Sequence, residues 1–107
     1  MMNGDFMDKL YECAKSNKSK LENILNENPY EELSFAKNGY IMKDGAQYGF
    51  EGKVLLFISA EPEFFKFADE KLKDIGTAVP EDKAKPIVEQ IKTEESAAEE
   101  GFGAIFG

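Results

Sequence analysis

Ser59, Glu61 and Glu63 are the side chains best placed for chemistry, because they follow an apolar run where a helix is expected to begin. A hydroxyl and two carboxylates at a strand-to-helix junction are typical of small-molecule sites in α/β proteins. Ser59 nevertheless lacks the G-x-S-x-G context of a nucleophile, and the sequence contains no His to activate it. We therefore expect Ser59 and Glu61 to begin a helix rather than to catalyse a reaction.

Acidic side chains offer a second kind of chemistry, the binding of divalent cations. Asp44, Glu51 and Glu61 lie near the expected sheet, but the D-x-D-x-D-G run that wraps calcium is absent from the sequence. We expect no built metal site and no cofactor. One alternative function stays open, namely a small-ligand or divalent-cation binding domain, even a weak enzyme, that uses these three carboxylates.

The composition argues against several functional classes. The sequence has no His, every one of its 13 basic residues is Lys, and its net charge is −8. It therefore lacks the usual neutral-pH proton carrier and the planar Arg fork that binds phosphate. The negative charge would repel nucleic acid and anionic membrane surfaces. These absences disfavour an enzyme, and we expect a protein that binds neither nucleic acid nor membranes.

The single cysteine and the apolar runs bear on location. Cys13 cannot form an intramolecular disulfide and is expected to be a small core residue, which fits a reducing cytoplasm. The longest apolar run, at 54–58, is far shorter than the roughly 18–20 residues that span a bilayer. The first residues show no signal-peptide pattern, so a cytoplasmic protein is predicted.

The hydrophobic pattern predicts a single α+β domain. Apolar spacing predicts N-terminal helices at 5–15 and about 19–28, the second with the S-x-x-E capping spacing of Ser19 and Glu22. A small, mainly antiparallel sheet of three to four strands is expected between about 32 and 60. Residues 54–58 form its central strand, because an unbroken apolar run requires cover on both faces.

Short motifs refine this prediction. The segment "ELSFA" alternates like a strand, as does "QYGF", and Asn38-Gly39 and Asp44-Gly45 suit tight turns. Pro62 and Gly76 bracket a helix at 62–75 with a stripe made of Phe64, Phe65, Ala68, Leu72 and Ile75, whereas Phe67 lies off the stripe. The segment "TAVPEDKAK" is expected to be a connector, and a further C-terminal helix follows Pro86.

The chain ends in an acidic segment that carries large apolar residues. Residues 1–93 are predicted to form the domain, and 94–107 a tail. Four glutamates, Glu94, Glu95, Glu99 and Glu100, precede Phe102, Ile105 and Phe106. On a helix these three apolar positions share one face at i, i+3 and i+4, the spacing with which short helices enter hydrophobic grooves. We call Phe102, Ile105 and Phe106 the hook.

The segment "EEGFGAIFG" resembles the extreme C-terminus of the archaeal and eukaryotic acidic ribosomal stalk proteins. In that family an acidic run leads to Gly-flanked apolar residues and a penultimate Phe, and the tail captures translational GTPases in a hydrophobic groove. The resemblance covers about the last 12 residues and implies that Phe102, Ile105 and Phe106 are partner-binding residues. The remainder departs from that family, whose members carry an all-helical dimerisation domain and a long Ala-rich hinge.

The function expected from the sequence is therefore that of a non-enzymatic interaction or adaptor protein. Its hook would dock in a groove of a protein partner, and the resemblance implies a translation-related factor. The hook could instead fold back on its own domain or pack against a second copy in a homodimer. Burial of two Phe and one Ile would contribute on the order of 5 kcal/mol before ordering costs, enough to matter in each case.

Overall fold

The computed structural model describes the backbone of residues 6–106 and the side chains of residues 6–96. Strands and α-helices are mixed along this part of the chain. In order they are strand β1 (Met7–Ala14), helix α1 (Lys18–Leu25), the short helix α2 (Phe35–Asn38), strands β2 (Ile41–Asp44) and β3 (Lys53–Ala60), helix α3 (Pro62–Leu72), strand β4 (Gly76–Ala78) and helix α4 (Glu81–Phe106).

The four strands form one antiparallel sheet in the order β2-β3-β1-β4. Strands β1 and β3 pair along their whole length, from Met7 opposite Ala60 to Ala14 opposite Lys53. Strand β2 extends the sheet beside β3, and β4 extends it beside β1. Because β3 lies between β1 and β2, and β1 between β3 and β4, two β-α-β units interleave in the ferredoxin-like arrangement. The α+β class and the antiparallel sheet are thus confirmed.

Strand β3 is central and covered on both faces, as its unbroken apolar run predicts. Side chains alternate along a strand, so Val54, Leu56 and Ile58 lie on one face and Leu55 and Phe57 on the other. All five are buried, with exposed fractions of 6% or less. One face packs against α1, α2 and α3, and the other packs against α4.

The first core layer joins the sheet to α1, α2 and α3. The predicted stripe of α3 is confirmed for Phe64, Phe65, Ala68 and Leu72, which are buried, but the helix ends at Leu72 and leaves out Ile75. Phe67 is half-buried at the edge of this layer, where its ring centroid lies 5.6 Å from that of Phe35. The layer also contains Leu21 and Leu25 of α1 and Cys13 of β1. Cys13 is therefore a core residue, as expected.

The second core layer is formed by α4. Ala84, Val88 and Ile91 pack against the opposite face of the sheet, and Ile91 has no exposed surface. The helix begins soon after β4, where the Val79 amide donates to the Leu10 carbonyl over 2.9 Å. Pro86 lies within the helix and, lacking an amide proton, leaves out one backbone hydrogen bond of the first turns. The predicted C-terminal helix is confirmed, but it begins five residues before Pro86.

The helix predicted at 5–15 is wrong, because this segment contains strand β1. Its apolar residues fit helical spacing, yet the same segment also alternates, with Tyr11 and Cys13 on one face and Leu10 on the other. The sequence of this segment alone is therefore compatible with either a helix or a strand. Pairing with β3 on one side and β4 on the other decides between them, and neither partner is visible locally.

Four further local predictions are also wrong. The segment "ELSFA" contains an exposed connection and α2, whose start is capped by the Ser34 hydroxyl accepting from the Lys37 amide over 3.2 Å. Residues 45–48 form a 3₁₀ helix, and the expected connector after α3 contains β4. The predicted second helix exists as α1, but its N-cap is Asn17, so Ser19 does not cap it. Only β2 and β3 therefore lie in the range given for the sheet.

None of the helices in the described part of the chain is both long enough and apolar enough to cross a membrane.

Candidate functional site

The strand-to-helix junction positions Ser59 and Glu61 for structure rather than for chemistry. Glu61 is the N-cap residue of α3, where its carbonyl accepts from the Phe64 amide over 3.0 Å. Ser59 is half-buried near the end of β3, opposite Asp8 of β1. It lines a shallow recess of about 150 Å³ whose other lining residues, at 38–41 and 57, include no carboxylate and no lysine. The recess thus lacks the carboxylate, lysine or histidine that usually serves as a general base for a serine.

The three carboxylates considered for a cation do not meet. Asp44 pairs with Val54 near the start of β3, whereas Glu61 follows the end of that strand. Seven residues of extended chain separate those ends by about 24 Å. Glu51 is exposed in the turn at the Asp44 end of the sheet. Among residues 6–96, no group of three acidic or cysteine side chains is arranged to hold a metal ion.

Asp44 instead organises the turn after β2. One carboxylate oxygen accepts from the Ala46 amide over 3.0 Å, and the other from the Lys15 ammonium over 3.3 Å. The Ala46 hydrogen bond and the Lys15 ion pair lower the pKa of Asp44, against a small opposing effect of burial. The carboxylate therefore serves as a helix cap and an exposed ion pair. Lys15 and Lys18 also line a recess of about 360 Å³ here, but Asp44 offsets their charge.

A groove runs between the first half of β1 and the first half of α4. It consists of two adjoining recesses of about 320 and about 300 Å³ that share Met7, Asp8, Glu81 and Ala84. Strand β4 pairs with residues 11–13 of β1, so no strand among the described residues covers the β1 edge at Met7–Lys9. The groove therefore combines an apolar floor with an open strand edge.

The rim of this groove carries both signs of charge. Asp8, Glu81 and Glu89 are acidic, and Lys9, Lys85 and Lys92 are basic. Two of the three lysines are occupied, since Lys92 pairs with Asp8 over 2.5 Å and Lys9 with Asp69 over 2.9 Å. A rim with three charges of each sign has no net charge, and so it does not select an ionic ligand. The groove has the shape of a binding site without a chemistry that identifies its occupant.

Helix α4 is fixed to the far edge of the sheet by a polar cluster. The Lys43 ammonium on β2 lies 3.5 Å from a carboxylate oxygen of Glu94 and 3.2 Å from one of Glu95. The Tyr48 hydroxyl donates to Glu94 over 2.6 Å, and the Gln90 amide donates to its other oxygen over 3.2 Å. Since α4 starts beside β1 and β4, these contacts show that it crosses the sheet to β2.

The electrostatics of this cluster favour its charged form. The hydrogen bond from Tyr48, with further contributions from Gln90 and Lys43, lowers the pKa of Glu94. The hydrogen bond to Glu95 is the main cause that raises the pKa of Lys43. Burial and then the Glu94 carboxylate raise the pKa of Tyr48 to about 12. At neutral pH Lys43 is therefore an ammonium, Glu94 a carboxylate and Tyr48 a neutral phenol, which are the forms that their hydrogen bonds require.

A second polar cluster joins β1 to α3. The Tyr11 hydroxyl donates to Asp69 over 2.6 Å, and the Lys9 ammonium donates to both carboxylate oxygens over 2.9 and 3.0 Å. Burial and the Asp69 carboxylate raise the pKa of Tyr11. Burial alone would raise the pKa of Asp69, but the bonds from Tyr11 and Lys9 outweigh it and lower that pKa. A tyrosine whose pKa is raised in this way is poorly suited to acid catalysis, and Tyr11 instead stabilises the contact between β1 and α3.

The hook residues lie at the end of α4, and their side chains fall outside the residues whose side chains the structure describes. The helical backbone itself continues through Phe106. The boundary predicted between residues 93 and 94 thus falls inside one helix, and Glu94 and Glu95 contact β2.

Neither the groove nor the cluster around Lys43 was predicted from the sequence. Both depend on where α4 crosses the sheet, and no local pattern specifies that path. The one usable signal was the position of Glu94 three residues after the buried Ile91, which lets a carboxylate lie beside an apolar contact on the same helix.

Comparison of the chain with known protein families, with curated proteins and with solved structures found no match.

Proposed function

We propose that this protein is a non-enzymatic interaction module that uses α4 to present Phe102, Ile105 and Phe106 to a hydrophobic groove of a partner protein. One observation carries the proposal: α4 is a single helix from Glu81 to Phe106, and its first half is anchored to the sheet. A continuous helix gives the three hook positions the i, i+3, i+4 spacing of a groove-binding helix.

The contacts of α4 support this proposal, because they separate the part of the helix that packs on the sheet from the hook that follows it. Ala84, Val88 and Ile91 supply apolar packing, and Glu94 and Glu95 supply polar contacts to Lys43. These residues all precede the hook. A helix fixed near its middle can support a following segment without requiring the hook for its own stability.

The absence of paired catalytic groups in the described part also favours binding over catalysis. Cys13 is buried, and burial raises its thiol pKa, which removes the thiolate needed for nucleophilic chemistry. Asp69 and Glu94 are each held by a tyrosine in a structural contact. The resemblance of the tail to ribosomal stalk proteins makes a translational GTPase the first partner to test.

The test compares the protein with its Phe102→Ala/Ile105→Ala/Phe106→Ala variant. Binding to a purified translational GTPase is measured by isothermal titration calorimetry, and self-association by sedimentation equilibrium. The exposed Lys83→Ala substitution on the same helix is the matched control. We expect the triple variant to lose binding by about tenfold or more, with unchanged stability and mass, while the control binds normally.

Other outcomes identify the competing roles of the hook. A triple variant that loses several kcal/mol of stability, of the order expected for burying three large side chains, would show that the hook packs on its own domain. A change from dimer to monomer would show that it packs against a second copy. Equal binding by the protein and the triple variant would refute a hook role at this partner.

A further inference from the structure

The connection between α1 and α2 exposes two large apolar side chains. Tyr30 is 89% exposed and Leu33 is 55% exposed, in a protein whose other large apolar residues are mostly buried where described. They lie three residues apart on one short segment. Scattered exposed apolar residues are common, but a close pair on one loop is a candidate contact surface.

This loop is fixed by hydrogen bonds. The Glu31 amide donates to the Asn28 carbonyl over 3.0 Å, which closes a turn with Pro29 and Tyr30 at its centre. Ser34 is buried, and its hydroxyl donates to the Glu31 carbonyl over 2.7 Å. Tyr30 is therefore held at the apex of a closed turn.

The base of the loop is equally well ordered. The Asn38 side-chain amide donates to the Glu32 carbonyl over 3.0 Å and to the Ser34 carbonyl over 2.9 Å. Phe35, which follows Ser34, is buried and packs edge-to-face on Phe64 with the ring centroids 5.4 Å apart. A loop held in one conformation loses little entropy when it binds, which favours affinity.

The charge of the loop indicates the chemistry of its partner. Residues 26–34 contain Glu27, Glu31 and Glu32 and no Lys. Glu27 pairs with Lys71 over 3.0 Å, whereas within the described side chains Glu31 and Glu32 have no lysine at ion-pair distance. Two carboxylates without a lysine partner among the described side chains therefore lie between two exposed apolar residues.

We propose that the Asn28–Leu33 loop is a docking surface for a basic protein segment that carries an apolar residue. Tyr30 and Leu33 make the apolar contact, and Glu31 and Glu32 pair with lysines or arginines of the partner. Exposed tyrosine is well suited to this role, because it offers a large, rigid contact area at low entropic cost. The loop connects α1 and α2, which pack on the face of the sheet opposite α4.

The test is a selection from a library of random twelve-residue peptides displayed on phage. The library is first depleted on the Tyr30→Ser/Leu33→Ser variant and then selected on the unmodified protein. Both substituted positions are exposed, so the variant is expected to fold, which its urea midpoint checks. We expect the selected peptides to carry net positive charge and at least one large apolar residue.

Affinities of the selected peptides are then measured by fluorescence anisotropy. We expect the Tyr30→Ser/Leu33→Ser variant to bind about tenfold or more weakly, and Glu31→Gln/Glu32→Gln several-fold more weakly. Binding should weaken as NaCl rises from about 50 to about 300 mM, because salt screens exposed charges. Glu63→Gln, which removes an exposed carboxylate of α3, is the matched control and should bind normally.

Three results would overturn the proposal. The selection could yield no peptide that depends on Tyr30 and Leu33, or peptides without positive charge. It could also yield peptides that bind Glu31→Gln/Glu32→Gln as tightly as the unmodified protein. The hook variant, Phe102→Ala/Ile105→Ala/Phe106→Ala, should bind these peptides normally, so failure at one surface leaves the other proposal standing.

Discussion

Replacing Ile91 by Ala should strongly destabilise the protein, because this residue is the centre of the contact between α4 and the sheet. Ile91 is fully buried and packs in the layer formed with Leu10, Leu55 and Phe57. The substitution removes three carbon atoms, which at about 0.8 kcal/mol each gives about 2.4 kcal/mol of lost transfer free energy. The cavity that remains adds to this loss, so the expected total is about 3 kcal/mol, within the range of about 2–5 measured for such changes.

Urea denaturation followed by circular dichroism measures this loss directly. With a slope of about 1.5 kcal/mol/M, a loss of about 3 kcal/mol moves the midpoint down by about 2 M. Ile91→Val should cost about 1 kcal/mol, and the exposed Lys83→Ala substitution on the same helix less than about 0.5. If Ile91→Ala shifted the midpoint no more than Lys83→Ala, the packing of α4 on the sheet, and with it the anchored presentation of the hook, would be refuted.

Two further predictions concern the turn after β2 and the Tyr48 cluster. Gly45→Ala should lower the thermal midpoint, since the added methyl would lie 2.5 and 2.6 Å from two backbone carbonyl oxygens, at a cost of about 1–3 kcal/mol; an unchanged midpoint would contradict this packing. The pKa of Tyr48 is raised from 10.0 to about 12, so its stabilising contribution is complete below pH 10 and is lost between about pH 10 and about pH 12. Tyr48→Phe should therefore show a shallower alkaline decline of the free energy of unfolding, with the remaining slope coming from groups such as Tyr11; identical slopes would be inconsistent with the bond to Glu94.

The elements predicted correctly are those whose signals are local and mutually consistent. Strand β3 is an unbroken apolar run, and α3 has a Pro start and a wide apolar stripe. The prediction for the segment of β1 was wrong because its residues fit both the helical and the strand period, and only pairing with the distant β3 selects the strand. The three residues of β4 are too few to give any pattern, and the edge of β1 alone makes them a strand.

The candidate sites also differ in whether their residues are close together or distant in the chain. The hook could be proposed from sequence because its three residues lie within five positions of one another in the chain. The groove and the Lys43 cluster could not, because they bring together residues that are distant in the chain, such as Lys43 and Glu94 or Asp8 and Lys92. The Asn28–Leu33 loop was not predicted, for a different reason. Alternation in "ELSFA" indicated a strand, whereas buried Ser34 caps a helix and leaves Leu33 exposed.

The pairing of β1 with β3 also has a consequence for how the chain acquires its structure. Met7 pairs with Ala60, so the first strand cannot enter the sheet until more than half of the chain has been synthesised. Such non-local pairing slows folding, because a long loop must close before any contact forms. Leu55 and Phe57 then stay open to solvent until α4, the last element, arrives. The nascent chain thus has an interval in which an apolar sheet face is uncovered, and molecules that stop before α4 keep that face as an aggregation surface.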